Sequence, residues 1–278
     1  MNKGTRDYSI EELKKIASKI RVDIVKMTAA AGSGHPGGSL SSAEIFAALY
    51  FKVLKHDPLN PKWQDRDRFV LSKGHACPGL YAALAESGYF PKNELLTLRK
   101  IGSRLQGHPD MKRLPGIEIS TGSLGQGLSV ASGMALGFRI DKRPNRVYCL
   151  MGDGETQEGQ IWEAALTAAH YKLDNLCGIV DVNNLQIDGC TDDVKCLKPY
   201  KEKWQAFGWA ATEINGNNVK EIIDAFQKAQ EIKNMPYVII AHTIKGKGVS
   251  FMENKAEWHG KAPSQEQEKA ALGELEKQ

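Results

Sequence analysis

The chain has 278 residues, of which 41% are hydrophobic and 25% are charged, and its formal net charge is +4. Such a composition is typical of a globular protein with one substantial domain or two small ones. The charge is mild and no basic block occurs, which argues against nucleic-acid binding but suits small acidic substrates. No apolar run reaches transmembrane length and the start of the chain lacks a signal-peptide pattern, so we expect no membrane contact and a cytoplasmic location.

Hydrophobic periodicity along the chain alternates between helical and strand-like spacing. Ser9 and Glu12 form a capping box that predicts the start of the first helix. The alternation predicts an α/β fold, a parallel sheet with helices on both faces, in a single domain over residues 1–278 with a polar peripheral tail from about residue 261. In chain order we expect helices over residues 9–30, 42–54, 79–87, 91–100, 123–140, 157–172, 200–207 and 218–231, and strands over 68–72, 146–151, 175–181 and 237–243.

Two features qualify this picture. The helix over residues 123–140 is rich in glycine, so we expect it to pack closely against a neighbour. The five cysteines have neither CxxC nor zinc-site spacing, so we expect them to be reduced thiols of the core.

The stretch "MGDGETQEGQ", residues 151–160, lies where a predicted strand turns into a predicted helix. A helix N-terminus attracts anions such as phosphate, and Gly152 and Gly154 allow the backbone to approach a ligand closely. Asp153 would repel a bare phosphate, but a divalent cation such as Mg²⁺ or Ca²⁺ binds carboxylate and phosphate oxygens together. The alternative for this stretch alone is an aspartate that caps the helix.

Polar groups follow two strands that we expect to be neighbours. If the strands over 146–151 and 175–181 are adjacent and parallel, their carboxyl ends bring Asp153 close to Asn183. The backbone carbonyl of Leu185 lies where an irregular loop can turn a third oxygen inward. Together these groups predict a metal and diphosphate site.

Four of the seven histidines lie beside glycine or proline in predicted loops, namely His35, His75, His108 and His259. They form no HxxxH or HExxH pair, so they are poor zinc candidates. Loop histidines of this kind suit proton transfer and hydrogen bonding to sugar hydroxyls. His56, His170 and His242 have no such setting, and we expect surface or packing roles for them.

Eight ordered segments between Ser9 and Gly260 resemble the transketolases, a family of thiamine diphosphate enzymes. The resemblance implies the thiamine diphosphate-binding fold, in particular its diphosphate-binding domain. It also implies a cofactor that acts as electron sink when a ketose is cleaved, which no protein side chain can do. The segments are "GSGHPGGSLSSAEI", "DRFVLSKGHACPGLYAAL", "QGHPD", "TGSLGQGLSVASGMALG", "GDGETQEGQIWEAA", "DVNNLQIDG", "TIKGKGVSFMEN" and "WHG".

Residue roles are implied by the resemblance, position by position. Asp153, Asn183 and the Leu185 carbonyl would bind the metal, Mg²⁺ or Ca²⁺. The histidines expected to face the sugar are His35, His108 and His259, and Glu158 resembles the acid through which paired active sites communicate. The residues expected around the cofactor are His75, Gly122, Ser123, Leu124, Gly154, Asn183, Lys245 and His259.

The resemblance covers only the diphosphate-binding half of a transketolase site. It therefore implies the N-terminal subunit of a split transketolase, which needs a C-terminal subunit carrying the pyrimidine-binding domain, in an assembly of two copies of each. The expected reaction moves a two-carbon ketol unit between sugar phosphates, as in the pentose phosphate pathway.

Other functions remain open from the sequence. Within the class they are an unusual sugar phosphate as substrate, a deoxyxylulose phosphate synthase, or a dehydrogenase E1 relative. A nucleotide-binding module is disfavoured because neither glycine-rich loop has GxGxxG or GxxxxGK[ST] spacing. A non-catalytic scaffold would not need the loop histidines.

Overall fold

The computed structural model describes residues 7–277 and contains a five-stranded sheet and a two-stranded hairpin. The strands are β1 (Arg68–Leu71), β2 (Val147–Gly152), β3 (Leu176–Val182), β4 (Leu185–Gln186), β5 (Gly189–Cys190), β6 (Ala210–Asn215) and β7 (Tyr237–His242). In the larger sheet the order is β1-β2-β3-β7-β6, and every neighbouring pair is parallel. The expected parallel sheet is confirmed, and β2 and β3 are indeed neighbours.

Helices surround this sheet. Ser9 accepts the Glu12 backbone N–H and its own N–H donates to the Glu12 carboxylate, so the predicted capping box starts the first helix. The helices are α1 (Ile10–Ala31), α2 (Pro36–Leu40), α3 (Ala43–Ala48), α4 (Cys77–Ser87), α5 (Gln126–Ile140), α6 (Gly159–His170), α7 (Thr191–Lys195), α8 (Tyr200–Ala206), α9 (Val219–Glu231) and α10 (Gln265–Leu275). A π-helical turn over Leu49–Val53 follows α3, and 3-10 turns occupy Gly74–Ala76, Lys92–Thr97, Gly154–Gln157 and Ala256–His259.

Each face of the sheet has its own hydrophobic core. Successive side chains of β2 alternate, so that Tyr148 belongs to the core that includes residues of α1, α3, α4 and α9, while Cys149 belongs to the core that includes residues of α5, α6 and α8. Both side chains are completely buried. Strands that are covered on both faces need apolar residues at every position, which explains the continuous apolar runs in the sequence.

Several elements differ from the sequence expectation, and the short elements α2, α7, β4 and β5 were not predicted. Strand β6 was not predicted either, because its residues are mostly half-buried and form no apolar run. The expected helix over 91–100 is only the 3-10 turn at Lys92–Thr97. The polar tail expected from residue 261 instead contains α10, which Ser264 and Gln267 cap and which packs against α1 through Ala271 and Leu275.

The cysteines and glycines agree only in part with expectation. All five thiols are free, and Cys77, Cys149 and Cys177 are buried, whereas Cys190 is half-buried and Cys196 is exposed. Helix α5 packs closely at Gly127, where a Cβ would lie 2.3 Å from Ser72 Oγ. At Gly133 and Gly137 a Cβ would meet no described atom within 4 Å.

Candidate active site

Loops at the carboxyl end of the sheet open into one cavity of about 370 Å³. A larger and shallower depression of about 710 Å³ lies beside β6 and β7, but none of the candidate residues lines it. Ser123 is exposed and does not line the smaller cavity, although its neighbours in the chain do. The candidate residues that line it are His35, His75, His108, Gly122, Leu124, Asp153, Gly154, Glu158, Asn183, Leu185, Lys245 and His259.

The three groups whose oxygens we expect to bind a metal, namely Asp153, Asn183 and the Leu185 carbonyl, lie together where β2 and β3 end. Asp153 accepts the backbone N–H of Gly154 at 2.8 Å and that of Asn184 at 2.7 Å, so its carboxylate joins the two strand ends. The Leu185 carbonyl accepts Lys245 Nζ at 3.0 Å. Burial, with repulsion from Asp181, raises the pKa of Asp153 to about 6. A nearby positive charge would therefore stabilise the ionised carboxylate.

The chemistry of this donor set fits a hard divalent cation. Asn183 donates its amide N–H to Asp181 at 2.9 Å, which leaves the amide oxygen as the acceptor, and that oxygen receives the Leu185 N–H at 3.2 Å. Beside it, Gln186 Oε1 is buried without a hydrogen-bond partner among the described residues. Within residues 7–277 no cluster of three or more His, Cys, Asp or Glu side chains forms a metal site. A cation here would depend on carboxylate, amide and carbonyl oxygens, which Mg²⁺ and Ca²⁺ accept.

A buried network that the sequence did not reveal supports these donors. Lys73 Nζ donates to Asp181 at 2.5 Å, to Ser42 Oγ at 2.7 Å and to the Gly38 carbonyl at 3.0 Å. Burial raises the pKa of Asp181, but Lys73 and the hydroxyls of Thr243 and Ser41 outweigh it and hold the pKa below its ordinary value. The carboxylate of Asp181 is therefore charged and fixes the orientation of the Asn183 amide. The feature of the sequence that could have indicated this network is an aspartate at the end of an apolar strand.

Glu155 forms a second unpredicted network on the other side of β2. Its buried carboxylate accepts the Ser72 hydroxyl and the backbone N–H groups of Gly125 at 2.9 Å and Gly152 at 3.0 Å. Burial raises the pKa of the Glu155 carboxyl and outweighs these three hydrogen bonds, which lower it. Glu155 thus ties the start of α5 to the end of β2, and both segments border the cavity.

The four loop histidines form one cluster. The His35 ring centroid lies 5.3 Å from that of His75, 5.6 Å from that of His259 and 6.4 Å from that of His108. The rings of His75 and His259 stack at 4.9 Å. Gly122 has φ +146°, and a Cβ there would lie 2.8 Å from the His108 ring, so a glycine is needed beside that histidine.

All four imidazoles are neutral at physiological pH. Burial, followed by the positive charge of Arg99, lowers the pKa of His35 to about 4, and burial with Lys245 lowers that of His259 to about 3. Burial also lowers the pKa values of His75 and His108. A neutral imidazole has one donor and one acceptor nitrogen, so each ring is able to hydrogen-bond a hydroxyl or to take up a proton.

Lys245 connects the histidines with the oxygen donors. Its Nζ lies 3.1 Å from His259 Nδ1 and donates to the Leu185 carbonyl. Burial lowers the pKa of Lys245 to about 8. The cavity therefore combines neutral rings, metal-binding oxygens and a buried amine that pairs with no carboxylate in the described part of the chain. Such a setting suits an anionic ligand that carries a cation.

The remaining histidines have the surface and packing roles expected for them. His56 is buried, with Nε2 2.7 Å from the Tyr50 carbonyl oxygen, and His242 is exposed beside Glu213 at 3.0 Å. His170 is exposed at the end of α6. Glu158 is exposed at the N-cap of α6 and borders the cavity.

Comparison with known proteins identifies this arrangement. Residues 12–275 match the family described as transketolase, thiamine diphosphate binding domain. The chain belongs to the transketolase family. The resemblance seen in the sequence is thereby confirmed, as is the α/β fold that binds thiamine diphosphate.

Relatives of two sizes share this transketolase domain. The chain is 49% identical over 267 residues to the 6-deoxy-6-sulfo-D-fructose transketolase subunit SqwG of Clostridium sp. (strain MSTE9), covering 96% of this chain and 97% of the relative. It is 44% identical to one subunit of the apulose-4-phosphate transketolase of Actinobacillus succinogenes, covering 97% and 98%. The crystal structure of transketolase from Campylobacter jejuni superposes with a TM-score of 0.92 at 35% identity, covering 97% of this chain but 43% of that one.

The transketolase chain thus spans nearly the full length of relatives that are named as subunits and less than half of the Campylobacter transketolase. No helix within residues 7–277 combines the length and apolar character that crossing a membrane requires.

Proposed function

We propose that the chain is the N-terminal subunit of a split transketolase, which moves a two-carbon ketol unit from a ketose phosphate to an aldose phosphate. The observation that carries the proposal is that one cavity holds the Asp153 and Asn183 oxygen donors together with four neutral loop histidines. Such a site suits a diphosphate that is bound through a divalent cation. The neighbouring histidines suit proton transfer to and from the hydroxyl groups of a sugar.

Residues at the carboxyl end of the sheet would bind the cofactor. Asp153, Asn183 and the Leu185 carbonyl would hold Mg²⁺ or Ca²⁺, and Gly154, Lys245 and His75 would contact the diphosphate. The loop formed by residues 122–124 would pass over the cofactor. Thiamine diphosphate, when bound, supplies the electron sink for carbon–carbon bond cleavage.

Proton transfer and substrate orientation fall to the histidines. His35, His108 and His259 would face the hydroxyls and carbonyl of the sugar. Because their pKa values are low, the rings are neutral before reaction, and imidazoles of the cluster can accept a hydroxyl proton and return it when the acceptor aldehyde is joined. Glu158, exposed at the edge of the cavity, would mediate communication between paired sites.

A second chain is the expected partner. The length match with relatives named as subunits supports a C-terminal subunit that carries the pyrimidine-binding domain, in an assembly with two copies of each chain. The exposed side of α5, with Gly133 and Gly137, offers small residues to a partner. The loops around His35 and Glu158 border the cavity, and a partner surface over them would exclude water from the reacting centre.

The sugar is a separate question, and an unusual ketose is the second candidate. Two relatives covered over nearly their full length are named for 6-deoxy-6-sulfo-D-fructose and for apulose 4-phosphate. The identity to these subunits, 49% and 44%, is close to the 47% found with the transketolase of Rattus norvegicus. Family membership therefore favours no single donor.

The decisive experiment is a reconstitution. The purified chain is assayed for ketol transfer with thiamine diphosphate and Mg²⁺, alone and with the candidate C-terminal subunit. Donors are a common ketose phosphate, a sulfo-ketose and a branched ketose phosphate. We expect activity only in the mixture, and the preferred donor identifies the sugar. Full activity of the chain alone would contradict the split-subunit proposal.

Calorimetry tests the metal requirement separately. Asp153→Ala removes the charged oxygen donor, so thiamine diphosphate should bind the reconstituted enzyme weakly with or without Mg²⁺. Asp224→Asn is the control, because Asp224 is exposed and pairs with Lys220 on α9. Unchanged cofactor affinity in Asp153→Ala, or in the wild type with chelator, would contradict this assignment.

A further inference from the structure

Arg99 lies behind His35, on the side of the ring that faces the protein. Its guanidinium lies 3.2 Å from His35 Nδ1, and it also donates to Ser33 Oγ at 2.8 Å and to the Gly107 carbonyl at 3.4 Å. An arginine side chain has donors and no acceptor, so the hydrogen bond to His35 has one direction only. Nδ1 must accept, which places the single proton of the neutral ring on Nε2.

The surroundings show that this contact is built into the fold. The Arg99 backbone N–H donates to the Leu105 carbonyl at 2.8 Å and closes the loop that carries the side chain. Arg99 has φ +59°, a left-handed conformation that non-glycine residues seldom adopt. A Cβ on Gly107 would lie 3.0 Å from Arg99 Nε and 3.1 Å from Cζ, so a side chain at this position would push against the guanidinium.

The other nitrogen of His35, Nε2, has no hydrogen-bond partner in the described part of the chain, and the ring lines the cavity. His75 and His108 also line the cavity, and no residue in the described part of the chain hydrogen-bonds to their ring nitrogens. The histidines of the cluster are therefore not equivalent, because Arg99 holds the tautomer of His35 and Lys245, also a donor only, contacts His259 Nδ1, whereas His75 and His108 have no such partner among the described residues.

The geometry points to Arg99 as a positioning residue that locks His35 in the Nε2–H tautomer, so that His35 donates a hydrogen bond to a substrate oxygen and does not take up a proton. The first half of this inference rests on the contacts of Arg99 alone. The second half rests on the proposed function, since it supposes a sugar in the cavity. Proton uptake then belongs to the imidazoles whose ring nitrogens no described residue contacts, those of His75 and His108.

Nuclear magnetic resonance of the full chain with ¹⁵N-labelled histidine tests the tautomer without cofactor or partner. The His35 signals are assigned by their loss in His35→Gln. We expect a protonated Nε2 and an unprotonated Nδ1 at neutral pH in the wild type. In Arg99→Met the Nδ1–H form should become populated, and Arg99→Lys, which keeps a donor, should restore part of the original state.

Arg104→Met is the matched control. Arg104 belongs to the same loop, but its guanidinium pairs with Glu94 at 2.8 Å and does not contact His35. Should Arg99→Met fold poorly, Arg99→Gly removes the guanidinium while tolerating the left-handed backbone. An Nδ1–H tautomer in the wild type, or an unchanged tautomer in the folded Arg99 variants, would overturn the inference.

Turnover of the reconstituted enzyme gives a second readout. By analogy with partners that orient metal-bound histidines, Arg99→Met should lower kcat by about 10- to 100-fold, with partial recovery in Arg99→Lys and no change in Arg104→Met. Wild-type kcat in Arg99→Met, despite a changed tautomer, would overturn the role toward substrate. A confirmed tautomer without ketol transfer in any mixture would instead contradict the proposed function and leave the Arg99 contact established.

Discussion

The ammonium of Lys73 lies 2.5 Å from the carboxylate of Asp181, and the two side chains are 2% and 0% exposed. Lys73 follows β1, and Asp181 lies near the end of β3 with β2 between them. The pair also binds the Gly38 carbonyl and the Asn183 amide. A single buried ion pair thereby holds three segments that border the cavity.

Asp181→Asn should destabilise the chain by about 3–5 kcal/mol, because it leaves the Lys73 charge buried without its counter-ion. Urea unfolding of the full chain measures this. Asp192→Asn is the control, since Asp192 pairs with Lys198 at the same 2.5 Å distance but on the surface, where a pair contributes at most about 1 kcal/mol. Equal losses of stability in the two variants would show that burial does not determine how much the Lys73–Asp181 pair stabilises the chain.

His35→Ala, His108→Ala and His259→Ala should each lower turnover of the reconstituted enzyme by about 10²–10⁴-fold. Their melting temperatures should change little, because the rings lie in loops that border the cavity and not in either hydrophobic core. Activity and thermal unfolding are measured on the same samples. His170→Ala, at the end of α6 and away from the cavity, should leave both unchanged. Large losses of stability with normal turnover would make the three histidines structural.

The sequence predicted the buried strands well and the more exposed elements poorly. Strands β1, β2, β3 and β7 are almost entirely buried, so their apolar runs stand out in the sequence. Strand β6 pairs on one side only and keeps polar residues, and α10 buries few side chains, so neither produces a strong periodic pattern. Local sequence patterns do not indicate elements whose formation depends on tertiary contacts.

The residues of the site likewise divide into those that the sequence marks and those that it does not. Asp153 and Asn183 were predictable because glycines and strand ends mark them in the sequence, and the resemblance to transketolases placed the histidines. The Lys73–Asp181 pair joins residues 108 positions apart, and Arg99 reaches His35 across 64 positions. No local spacing encodes such contacts, since they exist only once the sheet and the loops are assembled.

Asp23 on α1 provides a prediction of pH dependence. Burial, with a hydrogen bond and repulsion from Glu86, outweighs the attraction of Lys92 and raises the pKa of Asp23 from 3.8 to about 7. The folded chain then binds a proton more tightly than the unfolded chain, so this group favours folding at low pH, and the benefit is lost as the pH rises through about 7.

Asp23→Asn abolishes this titration, so the variant should gain stability relative to the wild type as the pH rises from about 5 to about 7, and the difference should then level off. Thermal unfolding at a series of pH values gives the difference in melting temperature. Asp224→Asn, at an exposed position on α9, serves as control and should show a flat difference. A flat curve for Asp23→Asn as well would mean that Asp23 is ionised in the folded chain throughout this range.

Two glycines of α5 should respond in opposite directions to the same substitution. Gly133→Ala should stabilise the isolated chain by about 0.5–1 kcal/mol, because alanine restricts the unfolded chain and favours the helix while the new Cβ meets no described atom within 4 Å. Gly127→Ala should destabilise it by about 1–3 kcal/mol, because the Cβ would lie 2.3 Å from Ser72 Oγ and 2.8 Å from Ser72 Cα.

Urea unfolding of both variants separates helix propensity from packing, since they lie in one helix and carry the same new methyl group. Gly127→Ala should also impair cofactor binding in the reconstituted enzyme, because Ser72 donates to Glu155, which holds the start of α5 against the end of β2. Gly133→Ala lies away from this network, so a loss of assembly in that variant would place the partner subunit on the exposed face of α5. Destabilisation of the isolated chain by Gly133→Ala would contradict the open surroundings of that glycine.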